Sequence, residues 1–250
     1  MKYFGWKPDT PDFRDFRFKE KVEYVEEPPV KYLICAPIKN QLNLGSCVFN
    51  GISSAMENAD IEVRNIIPPV PYSRLYAYYK YRELEGIPIN YDSGASIREA
   101  IKIIAKNGIC LESVWPYDLD YWASKPSKEA DLDAENHKIL EYYALTDLKD
   151  MIQSIASGWG FVCGIGCYES FDSDYTEKTG KVLVPQPNER FLGGHCIYFW
   201  GYDKHLFDGE GGFHFQNSYG AEWGKKGRGT IPFSYLSNRN LATDFWTIRK

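Results

Sequence analysis

The stretch Ala36-Pro37-Ile38-Lys39-Asn40-Gln41-Leu42-Asn43-Leu44-Gly45-Ser46-Cys47-Val48-Phe49 decides how this chain is read. Its Gly-Ser turn delivers a cysteine to the start of a run in which Ile52, Ala55, Met56, Ala59, Val63 and Ile66 recur at three- and four-residue steps. That period predicts a helix of about five turns, stopped by Pro68 and Pro69. A helix N-terminus carries partial positive charge and unpaired N–H groups, so a thiol there is expected to have a lowered pKa. On this segment alone, a nucleophile and a buried cysteine in a helix cap stand level. Two later segments shift the balance. In Gly193-Gly194-His195-Cys196 a histidine opens a strand, and in Gln216-Asn217-Ser218-Tyr219-Gly220 an amide ends the next one. Cysteine, then histidine, then asparagine is a chain order that thiol acyl-transfer chemistry uses.

Working outward, residues 1–36 have no helical period and contain Pro8, Pro11, Pro28 and Pro29, which predicts an extended strap. Its Tyr3, Phe4, Trp6, Phe13, Phe16 and Phe18 are too apolar for a free tail, so these rings are expected to pack. A second helix is expected from about Ser73 to Leu84. A third carries the box Ser96-x-x-Glu99, the stripe Ile97, Ile101, Ile104 and the stop Asn107-Gly108. Residues 118–145 read as polar and irregular, and a short amphipathic helix follows around Leu148, Met151, Ile152 and Ile155. After Gly158 come β-rich runs at 161–168, 196–202, 213–217, 229–233 and 245–249. Helices first and strands second predict an α+β fold. Its main domain, 37–250, would have a helical half at roughly 37–117 and an antiparallel, β-barrel-like half at roughly 118–250, with a cleft between them.

Composition narrows the function classes. With 44% hydrophobic residues among 250, the chain can build a sizeable core, and 29 Lys+Arg against 34 Asp+Glu give a net charge of −5. No basic surface advertises nucleic acid or anionic lipid, so neither is expected as a partner. The apolar runs Phe161–Cys167 and Cys196–Trp200 fall far short of the roughly 20 residues that span a bilayer. Met1–Thr10 lacks the apolar core of a secretory signal, which favours a cytoplasmic location. Six cysteines without tandem CxxC spacing suggest neither a disulfide scaffold nor a metal site. Cys163 and Cys167 would lie roughly 13 Å apart along a strand, beyond bonding reach. Gly158-x-Gly160 and Gly164-x-Gly166 lack a following Lys-Ser/Thr, so no phosphate loop and no cofactor is expected. The chain reads as a monomer, and its 16% aromatic residues suggest a groove of the kind that binds peptides or sugars; the resemblance described next narrows this to a peptide or protein.

At this point the sequence resembles the papain-like cysteine peptidases, in particular a short prokaryotic and viral-type branch without the usual long propeptide. Gln41 with Gly45-Ser46-Cys47 is similar to the family's oxyanion glutamine and nucleophile. Ser93-Gly94-Ala95 resembles the glycine pair bordering the substrate. Gly108-Ile109-Cys110 with Trp115-Pro116-Tyr117 resembles the following turn, Gly194-His195 the catalytic histidine, and Asn217-Ser218-Tyr219-Gly220-x-x-Trp223-Gly224 the Asn-Ser-Trp-Gly motif. The chain departs from the family at Val48, Ala95 and Tyr219. Leu44 and Asp92 stand where many relatives have disulfide cysteines, which suits a reducing compartment.

The resemblance implies a Cys47 nucleophile, a His195 base and an Asn217 that orients the imidazole under the cover of Tyr219 and Trp223. It implies an oxyanion hole from the Gln41 amide and the Cys47 N–H, worth roughly 3 kcal/mol per donor. Gly45, Ser46, Gly94, Ala95, Ser96, Ile97, Gly194, Cys196, Tyr219 and Trp223 would border the substrate. Ser96, Ile97 and Cys196 would wall the pocket for the side chain second from the scissile bond. No charge is among them, so an apolar or aromatic side chain is expected there. The same residues would serve a thiol transpeptidase or amidohydrolase, or an idle peptide-binding protein. The strap could be a structural fixture or a lid over the cleft.

Overall fold

Helix α1 (Cys47–Arg64) is the spine of the molecule, buried on all sides from Cys47 to Ile61. Residues 3–250 are described, in a computed structural model. A helix buried on every face needs partners for its polar side chains, and α1 has them. Asn50 donates to the Ser46 carbonyl, and Glu57 accepts from Ser53 Oγ (2.9 Å) and from Lys39 Nζ (2.6 Å). Against one side of α1 pack α2 (Arg74–Leu84) and α3 (Ile97–Asn107). The tyrosines of α2 that face α1 and α3, Tyr76, Tyr78 and Tyr81, belong to this core rather than to a surface platform.

The helix boundaries follow the local chemistry with one exception. Ser73 caps α2 by accepting from the Tyr76 N–H, whereas Ser96 makes no such bond for α3. The expected Ser96-x-x-Glu99 box does not close. The Arg98 N–H is instead taken by the carboxylate of Asp9, brought in by the strap (3.1 Å). Glu99 is drawn off to Arg98 and Lys102.

The other half is one antiparallel sheet. Its strands are β1 (Val30–Tyr32), β2 (Glu141–Ala144), β3 (Phe161–Tyr168), β4 (Phe191–Asp203), β5 (Gly212–Gln216), β6 (Arg228–Pro232) and β7 (Ala242–Arg249). The order is β2-β7-β3-β4-β5-β6, with β1 added to β4. The expected barrel-like closure is absent: β2 and β6 are edges, and no described ladder joins them. Phenylalanines from three strands meet on one face, with Phe161 of β3 and Phe199 of β4 stacked at 4.7 Å and Phe213 of β5 edge-on to Phe161.

The segment read as irregular contains α4 (Lys128–Ala134) and β2, because Ser127 caps a short helix whose only apolar anchors are Ala130 and Ala134. Two alanines leave no stripe to read in the sequence. Ala130, Ala134 and Ile139 join the core around α1–α3, so that core runs past residue 117. Three further short helices, α5 (Leu148–Ala156), α6 (Asp174–Thr179) and α7 (Phe233–Ser237), complete the sheet half. In the strap, Phe18 is fully buried and Phe4 and Trp6 half-buried, but Phe13 and Phe16 stand in solvent, at 93% and 57% exposure. The expectation that every ring packs therefore fails at these two.

Candidate active site

The cleft lies where the first turn of α1 meets β4. Cys47 is fully buried, and a backbone hydrogen bond from Cys196, the residue after His195, reaches its sulfur. His195 Nε2 and Asn217 Oδ1 are 2.8 Å apart, and the same oxygen accepts from the Ser218 N–H at 2.8 Å. Asn217 Oδ1 can only accept, so the proton on that side of the ring sits on Nε2 and Nδ1 is the basic nitrogen. Tyr219 stacks on the imidazole at 4.8 Å and 21°, and Trp223 meets Tyr219 edge-on at 6.3 Å. These rings leave His195 and Trp223 almost without solvent contact.

Gln41 is held from both sides. Its Oε1 accepts from Ser218 Oγ (2.6 Å), and its Nε2 donates to the Leu44 carbonyl (2.9 Å) and to the carbonyl of Tyr3 (3.1 Å). Its backbone N–H donates to Ser218 O, and Tyr117 Oη donates to its carbonyl, each within 2.9 Å. Beneath this loop Arg74 donates to Asn50 Oδ1 and Asn40 O and pairs with Glu112 at 2.8 Å, with its guanidinium 3.9 Å from the Tyr117 ring centroid. Asp92 accepts from the Gly45 N–H at 2.9 Å, tying the loop ahead of Cys47 to the segment before α3. Lys39, Arg74, Asp92 and Tyr117 were not foreseen as part of the site. Only the contacts between segments far apart in sequence give them this role.

The strap runs through the cleft. Ala95 N donates to Gly5 O (2.7 Å), Lys7 N to Ala95 O (2.9 Å) and Trp6 N to Gly194 O (3.0 Å), as a one-residue parallel bridge between Trp6 and Ala95. Gly94, at φ +65°, lets the backbones close up, since a Cβ there would fall 2.2 Å from Gly5 O. Phe4 lies edge-on to His195 at 6.3 Å. Of the residues expected to border a substrate, Gly94, Ala95 and Gly194 bond to or touch the strap, and Gly45 lies directly against Gly5. Ser46 is turned away, its Oγ 2.7 Å from Tyr117 Oη, and Ser96 N donates to Tyr81 Oη. Ile97 and Cys196 are buried.

Burial reverses the expected electrostatics of the thiol, pushing Cys47 up to about 11 against the pull of backbone hydrogen bonds from Cys196, Gly5, Val48 and Cys47 itself. Desolvation outweighs the helix start. All six cysteines are free, as their spacing predicts.

The fold is α+β, with a cleft between a buried helix and an antiparallel sheet that brings a buried cysteine and a histidine–asparagine pair to its walls. No known family profile matches the chain. It is 37% identical over 220 residues to an uncharacterised peptidase C1-like protein of Acanthamoeba polyphaga mimivirus, covering 84% of this chain and 69% of that one. Its fold matches xylellain, a cysteine protease from Xylella fastidiosa, with TM-score 0.87 and 32% identity, over 99% of this chain and 96% of that one. Procathepsin L 3 of the Tenebrio molitor larval midgut shares the fold at TM-score 0.72 and 17% identity, over 95% and 75% of the two chains. The chain belongs to the papain-like, C1-like cysteine peptidases, and is a hydrolase. No helix among the described residues is long and apolar enough to cross a membrane.

Proposed function

We propose that the chain is an endopeptidase working through Cys47, His195, Asn217 and Gln41, and that residues 3–9 hold it latent. The observation that carries this is the Tyr3 carbonyl on Gln41 Nε2: a peptide oxygen already occupies the donor that would receive an oxyanion. When the strap leaves and water re-enters, the desolvation on Cys47 falls. Nδ1 of His195 then takes the thiol proton, and the thiolate attacks a substrate carbonyl carbon. Gln41 Nε2 and the Cys47 N–H hold the oxyanion of the tetrahedral intermediate. The imidazolium protonates the leaving amine, and water, deprotonated by the same imidazole, hydrolyses the thioester. Asn217 keeps the ring in the tautomer this requires.

The test is peptide hydrolysis by the purified chain and by Cys47→Ala and His195→Ala, with circular dichroism to check folding. Both variants are expected to be folded and inactive. Substantial turnover in Cys47→Ala overturns the mechanism.

A further inference from the structure

Helix α1 covers only part of the sheet face that lies opposite the phenylalanine core. It closes that face where Tyr198 Oη donates to Asn58 Oδ1 and Gln216 Nε2 donates to Ser54 Oγ at 3.2 Å. Beyond these contacts a cavity of about 430 Å³ opens among Lys181, Trp200, His214, Lys225, Arg228 and Thr230. The strands explain why these side chains converge. Phe213 and Phe215 belong to the sheet core, so His214 between them points to the opposite face. His214 pairs in register with Thr230 and Gln216 with Arg228, and Lys181 forms a bridge to Thr230. Trp200 is the extra residue of a bulge, since Phe199 pairs with Phe215 and Gly201 with His214.

Two properties set this cavity apart. Three buried nitrogens in it, Trp200 Nε1, His214 Nε2 and Arg228 Nε, have no hydrogen-bond partner among the described residues. A buried donor left unmade is costly, so three in one place call for a ligand that accepts. The lining also carries three cations, Lys181, Lys225 and Arg228, and no carboxylate, in a chain of net charge −5. Lys181 and Arg228 are set against neutral groups. Lys181 Nζ lies 5.0 Å from the Phe207 ring centroid, and the Arg228 guanidinium lies 5.9 Å from that of Trp200 and reaches the Cys35 thiol, which burial pushes up to about 11. Burial lowers the His214 pKa and Asp203 opposes it; the neutral ring with its proton on Nε2 is a donor. Asp203 itself lies outside the lining and accepts from the His205 N–H at 2.8 Å.

We propose that this cavity binds a small organic anion, with a flat ring laid against Trp200 and an oxyanion, phosphate or carboxylate, received by Arg228, His214 and the two lysines. The volume is in the range of small-molecule sites and exceeds what a bare phosphate needs. The rings of Trp200 and His214, 5.5 Å apart, with Tyr32 edge-on to His214 at 4.9 Å, supply the flat apolar surface for the remainder. The site uses no residue placed in the cleft, so it stands independently of the peptidase reading.

The test is calorimetric titration of the full chain with phenyl phosphate, benzoate, inorganic phosphate and benzyl alcohol. The better of the two aryl anions is expected to bind about tenfold more tightly than inorganic phosphate and than benzyl alcohol. Tighter binding of phenyl phosphate assigns a phosphate group to the ligand, and tighter binding of benzoate a carboxylate. Arg228→Gln should weaken the better aryl anion on the order of tenfold, as loss of a charge-assisted hydrogen bond implies. Lys225→Gln, at an exposed position where folding is not at risk, should weaken it severalfold. Trp200→Leu, if natively folded by circular dichroism, should remove the advantage over inorganic phosphate. No saturable binding of either aryl anion, equal affinity for inorganic phosphate or benzyl alcohol, or binding unmoved by Lys225→Gln and by Arg228→Gln overturns the assignment.

Discussion

The front and rear of the strap are anchored by different physics. Around residues 18–33 the chain is built into the body. Phe18 and Leu33 are buried in the sheet core, and β1 is a strand of the sheet, pairing with β4 at Tyr32–Gly201. Residues 3–9 bury no large side chain completely. They are held by three backbone bonds to Ala95 and Gly194, the Gln41 amide, and two carboxyl groups, Asp9 and Asp244. Burial of a large apolar side chain is a stability term. Backbone pairing in a cleft exchanges for pairing with another peptide at little net difference. The rear therefore behaves as part of the fold and the front as a tethered competitor, whose local concentration can reach millimolar.

The largest expected break in this comparison is at the rear. Phe18→Ala should cost about 3–5 kcal/mol of folding stability, read as a shift of the denaturation midpoint, because it empties a fully buried site. A small loss there would mean that the rear is also detachable. Next, Gln41→Ala is expected to lower kcat on the order of a hundredfold with little change in KM, while Cys47 labelling by iodoacetamide does not slow. A change confined to KM would reassign Gln41 to binding. Third, Gly5→Ala places a Cβ 2.0 Å from Gly45 O, a backbone atom that cannot move aside. The front should lift, with Cys47 labelled on the order of tenfold faster and the denaturation midpoint little changed. Unaltered labelling would show that the front does not gate the cleft.

The smallest effect is a pH dependence of the front. Burial first, and the Asp244 carboxylate second, push Asp9 from 3.8 up to about 6. Burial likewise raises Asp244. Arg98, whose own partners include Asp15 and Glu99, opposes both shifts. The docked strap thus keeps a proton that a free strap gives up. Docking is strongest below the ordinary carboxylate value and weakens as pH rises through about 6. Cys47 labelling in the native chain, divided by that in Asp9→Asn, should rise severalfold from about pH 5 to about pH 8. A flat ratio would remove Asp9 from the latch.

Much was legible in the sequence because the information was local. The Gly-Ser-Cys turn and a long apolar period define α1, and Pro68 and Pro69 follow its end. The α3 stripe gives Ile97–Asn107, and the β-rich runs at 161–168 and 213–217 give β3 and β5. Cys47, His195, Asn217 and Gln41 could be nominated because each sits in a short, recognisable context. The sequence by itself thus determined the helices-then-strands order and the family, and nominated the four chemical groups that the proposed mechanism uses. Tertiary structure alone decided what depends on segments meeting. Asp9 caps α3 in place of Ser96, and Asp92 ties the loop before Cys47. Asp244, at φ +58°, accepts from Trp6 Nε1 and the Asp9 N–H of the strap. Burial of the thiol outweighs the helix start and pushes its pKa up. Desolvation and register depend on what lies on top of a residue, and no window of neighbouring letters contains that.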